Sequence, residues 1–285
     1  MKPLLRLLAW LSLGANQRLG AAAGRVAFLL SSRLRATATE NLAAAGLDSR
    51  ALLPQNARHM GMGASELAWA LLRPIDSVTA LVKETDGWDA VEPLRRANRP
   101  ILFITPHLGG YDVAGRWLWS RLPVLAMYRP HKNAQLDDLI REGRNRGAAP
   151  DGTNVAPANR AGVRMLLTHL RRGGCSIVLP DQVPGVGEGE WVDFFGRQAY
   201  TMTLPGRLQR ATGAAVVFCF AQRLPDAAGF RMIFRVREEP LPEDRALAAR
   251  AVNEGVEALI RIAPEQYLWA YNRYKRPAGA PPAPR

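Results

Sequence analysis

The first 39 residues of this chain contain no acid, lysine is scarce throughout, and cysteine occurs only twice. Two isolated thiols, Cys175 and Cys219, lie in separate apolar runs without a Cys or His neighbour. They fit neither a disulfide framework nor a zinc site and suit a reducing location. No metal-ligand spacing occurs anywhere, and His59, His131 and His169 are each solitary. A Walker A loop and a GxSxG elbow are both missing, which removes the commonest phosphate-loop and serine-nucleophile readings. Only four of the 38 basic residues are Lys, so the distribution of charge is more informative than its arginine-rich character.

The chain's 285 residues and 48% hydrophobic content are enough for a substantial core. A formal charge of +13 and a pI near 10.7 call for an anionic partner: a bilayer surface, an acidic protein or substrate, or nucleic acid. The acid-free start carries Lys2, Arg6, Arg18, Arg25, Arg33 and Arg35 among Leu, Ala, Trp10 and Phe28. No uncharged apolar run there approaches the roughly 20 residues that a spanning helix needs. Residues 1–35 therefore read as a basic amphipathic segment on an anionic membrane surface, with an ordinary packed helix as the plain alternative. Arg6 interrupts the apolar core that a signal peptide would need. A nucleic-acid arm would leave the apolar residues without a use.

Residues 36–73 read as helical, closed by Pro74. Strands are then expected over Val78 to Lys83, Ile101 to Thr105, Val124 to Met127, Ser176 to Leu179, Ala214 to Ala221 and Phe230 to Arg237. Helices alternate with them over Asp89 to Ala97, Val113 to Arg121, Gln135 to Arg146, Arg160 to Arg172, Leu204 to Thr212 and Ala246 to Ile262. This alternation predicts an α/β domain over 36–276 with a mostly parallel central sheet flanked by helices. Gly185 to Gly189 reads as a flexible loop and 277–285, rich in Pro and Ala, as a disordered tail.

Within this frame, Pro100 to Asp112 is the most informative stretch. An apolar strand ends near His107, and Asp112 follows five residues later. Ligands of open α/β sheets bind beyond the carboxyl ends of the strands, so an imidazole and a carboxylate there make a plausible acid-base pair; a structural His and a helix cap are the plain reading. A second strand, Ile177 to Leu179, delivers Asp181 to the same edge. Phe194, Phe195 and Gly196 supply apolar walls with Thr201 as a polar contact, while Arg129, Arg141, Arg144 and Arg146 cluster between the two strands. The plain counterparts are a turn Asp, a core Phe pair and a solvated helix face. Converging on one edge, the same residues make a cleft for an amphiphile with an anionic head.

HisLeuGlyGlyTyrAsp at 107–112, TyrArgPro at 128–130, AspGln at 181–182, PhePheGly at 194–196, ThrGlyAla at 212–214 and AlaProGluGlnTyrLeuTrp at 263–269 occur in that order, followed by ArgTyrLysArgPro ending at Pro277. Together they resemble the bacterial late acyltransferases of lipid A biosynthesis, within the lysophospholipid acyltransferase superfamily. The resemblance implies a glycerolipid-acyltransferase-like fold. It also implies transfer of a fatty acyl chain from acyl carrier protein to a hydroxyl of a lipid A precursor, peripheral to the cytoplasmic side of the cell inner membrane, without cofactor or metal. His107 would be the general base and Asp112 its orienting acid. Arg144, at the family's conserved Arg position, would stabilise the oxyanion, with backbone N–H groups at Gly109 and Gly110 as rivals. Asp181 would organise the arginines, and Arg129 and Arg164 would meet the substrate's phosphates. The chain departs from the family at Tyr271, where a His is usual, and in GlyGlyTyrAsp, where GlyAsnTrpGlu is commoner. These departures leave another hydroxylated or lyso-lipid acceptor open, as well as a non-catalytic lipid-binding role.

Overall fold

A computed structural model describes residues 8–128, 137, 138, 140, 143 and 155–284. Residues 8–10 are helical, and three helices follow: α1 Leu13–Leu30, α2 Ser32–Ala44 and α3 Ser49–Leu72. Each starts on a side-chain cap, from Ser12, Ser31 and Asp48 respectively, that satisfies otherwise unpaired amides. The helix expected over 36–73 is thus two helices, divided where Gly46 takes a φ of 70°. A short helix α4, Ile75–Thr79, leads into β1, Val82–Asp86, so the strand expected from Val78 starts later.

The alternation then follows closely: α5 Trp88–Arg96, β2 Ile101–Ile104, α6 Tyr111–Trp119, β3 Val124–Tyr128, β4 Val155–Pro157, α7 Arg160–Arg171 and β5 Cys175–Val178. Beyond them come β6 Gly189–Phe194, β7 Arg197–Met202, α8 Leu204–Thr212, β8 Ala215–Arg223, β9 Phe230–Val236 and α9 Arg245–Ile262. Seven strands form one sheet in the order β1-β9-β8-β2-β5-β3-β4, parallel except for the β8–β9 pair. Leu102 and Ile104 face one apolar core and Ile101 and Phe103 the other, so β2 is covered on both sides and its uninterrupted apolar run is explained.

Sequence reading missed β6 and β7, which form a separate antiparallel hairpin. Its two-residue turn, Phe195-Gly196, has φ of 49° and 73°, the left-handed pair that such hairpins use. Phe194 and Phe195 are buried against Tyr267, Trp269 and Tyr274. They belong to the core rather than to the walls of a substrate cleft. The tail expected to be disordered forms no helix or strand over 277–284, but it lies on this hairpin: Trp191 Nε1 donates to the Pro281 carbonyl at 2.9 Å, and Ala280 is buried.

The acid-free start is built into the domain. Gln17 Nε2 donates to Glu66 at 2.8 Å, Asn16 bonds Ser65, and Phe28 joins the main core. Helices α1 and α3 touch at backbone distance: a Cβ at Gly24 would lie 2.0 Å from the Ala57 carbonyl oxygen and 2.9 Å from the Gly61 nitrogen. Gly24→Ala should therefore lower the thermal midpoint, by about 1–3 kcal/mol in stability, whereas Ala22→Ser on the exposed face of α1 should not. Equal melting of the two variants would contradict this packing. The opposite face of α1 exposes Leu19, Val26, Leu29 and Leu30 beside Arg18 and Arg25. Among the described residues, no helix is long and apolar enough to cross a membrane.

His59, solitary in the sequence, is half-buried on α3. Burial first, then the Arg223 and Arg58 charges, push its pKa down to about 3. The unfolded imidazole takes up a proton below its ordinary 6.5 while the folded one resists. Stability should therefore fall as pH drops below 6.5, and His59→Gln should flatten that slope between pH 6.5 and 5 in urea melts. An unchanged slope would show that this ring does not contribute.

Candidate active site

Parallel pairing sets the site. Ile104 is in register with Val178, and three residues beyond each of these lie His107 and Asp181, side by side at the carboxyl edge of the sheet. His107 Nδ1 is 2.8 Å from Asp181 Oδ1, and the His107 amide donates to Asp181 Oδ2 at 2.8 Å. One buried carboxylate thus fixes both ring and backbone. The Nδ1 partner is Asp181, which corrects the role expected for Asp112 as the orienting acid; the arginines that Asp181 was expected to organise lie outside the described residues. Asp112 instead stands in the first turn of α6 and lines the same cavity as the imidazole.

The turn carrying His107 is pinned on both flanks. Leu268 N donates to the His107 carbonyl at 3.1 Å, and Leu108 bridges Tyr267. Gly109 sits at φ 59°, where a Cβ would lie 2.1 Å from the Ala221 carbonyl oxygen, so only glycine fits. Its amide donates to the Gln266 carbonyl at 3.2 Å, and the Gly110 amide to that of Ala221 at 2.8 Å. Both are committed to the scaffold, which removes them as oxyanion donors.

Burial would raise the Asp181 carboxyl, but the His107 charge and its side-chain and backbone hydrogen bonds, with the Arg273 charge, hold it below the ordinary value. The stability it contributes is present above pH 3.8 and is lost as pH falls through its lower folded value. Tyr267 lies against the same carboxylate; burial and that negative charge drive its phenol well above the ordinary range, so it stays protonated. Arg273, 2% exposed, is fixed by Tyr200 O at 2.9 Å and Thr201 Oγ1 at 2.6 Å. Thr201 is accordingly a fully buried anchor for Arg273 and Asn253, not a substrate contact.

The imidazole's other nitrogen meets Gln182, whose Nε2 is 3.2 Å from His107 Nε2. With Nδ1–H given to Asp181, Nε2 keeps its lone pair and accepts from the Gln182 amide. His107 and Gln182 line a cavity of about 360 Å3 whose remaining wall is largely apolar, including Trp119, Ile177, Leu179, Met202 and Leu204. The imidazole side chain is 18% exposed and its Asp181 partner 2%, so the base is reachable and its support is dry.

Arg164 is exposed on α7 and outside that lining. Arg129, Arg141, Arg144, Arg146 and His131 lie outside the described residues, as does most of the helix expected over Gln135 to Arg146. Gln182, Tyr267 and Arg273 were missed as parts of the site. Their motifs were visible in the sequence, but nothing in a linear pattern shows that the C-terminal segment returns to a turn some 160 residues earlier. Tyr271, in the position where a His is usual, accepts from the Val183 amide at 3.0 Å and so supports the loop after Gln182.

Fold and site define an α/β enzyme that presents a carboxylate-held imidazole to an apolar cavity. A family model described as bacterial lipid A biosynthesis acyltransferase matches residues 3–276, and the chain belongs to that family of O-acyltransferases. It is similar to a lipid A biosynthesis palmitoleoyltransferase of Escherichia coli K12, 30% identical over 80% of this chain and 73% of the relative. The lauroyltransferase of the same organism is 29% identical over 93% of this chain and 87% of its own length. Its myristoyltransferase is 29% identical over 64% of this chain and 56% of its own length.

Proposed function

We propose that the chain transfers a fatty acyl group from acyl carrier protein to a hydroxyl of a lipid A precursor, with His107 as general base and no covalent acyl-enzyme. The observation that carries this reading is the 2.8 Å contact from Asp181 to Nδ1 of an imidazole lining an apolar cavity. The acceptor hydroxyl displaces the Gln182 amide at Nε2 and gives up its proton there as its oxygen attacks the thioester carbonyl. The C–S bond then breaks, and the departing thiolate takes the proton from the imidazolium, which Asp181 stabilises meanwhile. The thioester is already activated, so the step needs no cofactor. Arg144 is proposed as the oxyanion donor, on the family's Arg position, and Arg129, within TyrArgPro, as a phosphate contact.

The strongly basic chain suits an acidic carrier protein, and transfer from that donor should weaken as salt screens the contact. The exposed apolar face of α1, with its arginines, is the proposed membrane contact. Because α1 also packs on α3, the informative variant is Leu29→Glu with Leu30→Glu, not a truncation. It should reduce sedimentation with anionic vesicles while leaving thermal stability unchanged; full retention of vesicle binding would remove α1 from the role.

The activity test is incubation of the purified chain in detergent with an acyl carrier protein thioester and a lipid A precursor, followed by mass spectrometry. One added acyl group that requires the carrier supports the reading. Transfer only from acyl-coenzyme A, or only to a lysophospholipid, would overturn it.

A further inference from the structure

A second cavity, of about 590 Å3, lies between α1, α3 and the segment joining β8 to β9, and it shares no lining residue with the one beside His107. Its wall is about equally polar and apolar and includes Arg223, which is 5% exposed. Arg223 gives Nε and Nη2 to Glu66, and Nη2 also to the Gly109 carbonyl at 2.8 Å. Its Nη1 is buried and, among the described residues, has no hydrogen-bond partner; the same is true of Nδ1 of His59, another residue of the lining. A buried guanidinium N–H without an acceptor is costly, and it marks a place where a bound group can supply one.

Three further features give the missing group its chemistry. Arg18 of α1 and Arg58 of α3 are exposed and line the cavity, so two solvent-facing guanidiniums stand near the buried one. Asp226 and Glu265 also line it and would repel a bare anion. The backbone there is strained: Asp226 and Ala227 take successive left-handed φ of 52° and 56°, a conformation that non-glycine residues hold where the surroundings require it. Guanidiniums ask for oxygen acceptors, and the carboxylates ask for donors on the same ligand.

We propose that this cavity binds a phosphodiester headgroup bearing an ammonium or hydroxyl group, the phosphate on Arg223, Arg18 and Arg58 and the donor end on Asp226 and Glu265. A membrane phospholipid and a soluble phosphoester both carry that chemistry. The site is separate from the acyl-transfer chemistry, and the inference does not rest on that reading.

The test uses the full chain and three probes: glycerophosphoethanolamine and inorganic phosphate followed by phosphorus NMR, and phosphatidylethanolamine vesicles followed by sedimentation. The wild type is compared with Arg58→Gln, an exposed position on α3 that lies outside the membrane contact proposed for α1. The wild type should bind the headgroup saturably and Arg58→Gln about tenfold more weakly, with equal thermal midpoints and equal acyl transfer. Binding of the soluble headgroup supports a phosphoester source, and arginine-dependent binding of vesicles alone supports a lipid source. No saturable binding of any probe, equal binding by both proteins, or inorganic phosphate binding as tightly as the headgroup would overturn the proposal.

Discussion

Replacing His107 by Ala should lower acyl transfer by roughly 100 to 10,000-fold, the usual contribution of a positioned general base. The substitution leaves the backbone bonds of residue 107 to Asp181 and Leu268 available, so the turn keeps its shape and the loss should appear in kcat. Circular dichroism and a thermal melt would establish that the variant is folded. A folded His107→Ala enzyme with near-normal turnover would mean that another group takes the hydroxyl proton.

The second large effect belongs to Asp181→Asn. The carboxylate accepts two N–H groups from His107, one from the backbone and one from the ring. An amide of the same shape can accept only one of them through its oxygen and must turn its own N–H2 toward the other. With the backbone N–H satisfied, the ring is met by a donor, Nδ1 is left unprotonated and Nε2 carries the proton. The base is then in the wrong tautomer, a change that costs about 10,000-fold where a buried Asp orients a catalytic His in the serine proteases. Asp112→Asn leaves the Nδ1 contact untouched and should cost less. Initial rates of the two variants at one pH separate the assignments, and a larger loss in Asp112→Asn would restore the role first expected from its spacing to His107.

That reversal shows where sequence reading reaches its limit here. The strand ending near His107 and the strand ending near Asp181 were both legible, because uninterrupted apolar runs between Pro and Gly mark buried parallel strands. Strand order and register were not legible, and they decide which acid reaches the ring. Ile104 pairs with Val178 across a sequence gap that no spacing rule spans, so the nearer Asp112 seemed the natural partner. The β6–β7 hairpin was missed for a different reason. Its turn residue Phe195 carries a positive φ that its bulk disfavours, and it is held by core packing and by the Glu257 bond to its amide. Gly109 and Gly110 were read as rival oxyanion donors, yet their amides are spent on the scaffold. Only the partner carbonyls of Gln266 and Ala221 reveal that.

The most direct test of the account is the protonation pattern of the His107 ring, read by nitrogen NMR on protein labelled at histidine. With four His in the chain, the signal can be assigned by comparison with His107→Ala. The account predicts that the neutral ring carries its proton at Nδ1 and is bare at Nε2, shifting to the opposite tautomer in Asp181→Asn. A wild-type ring protonated at Nε2, or a pattern unchanged by Asp181→Asn, would contradict it.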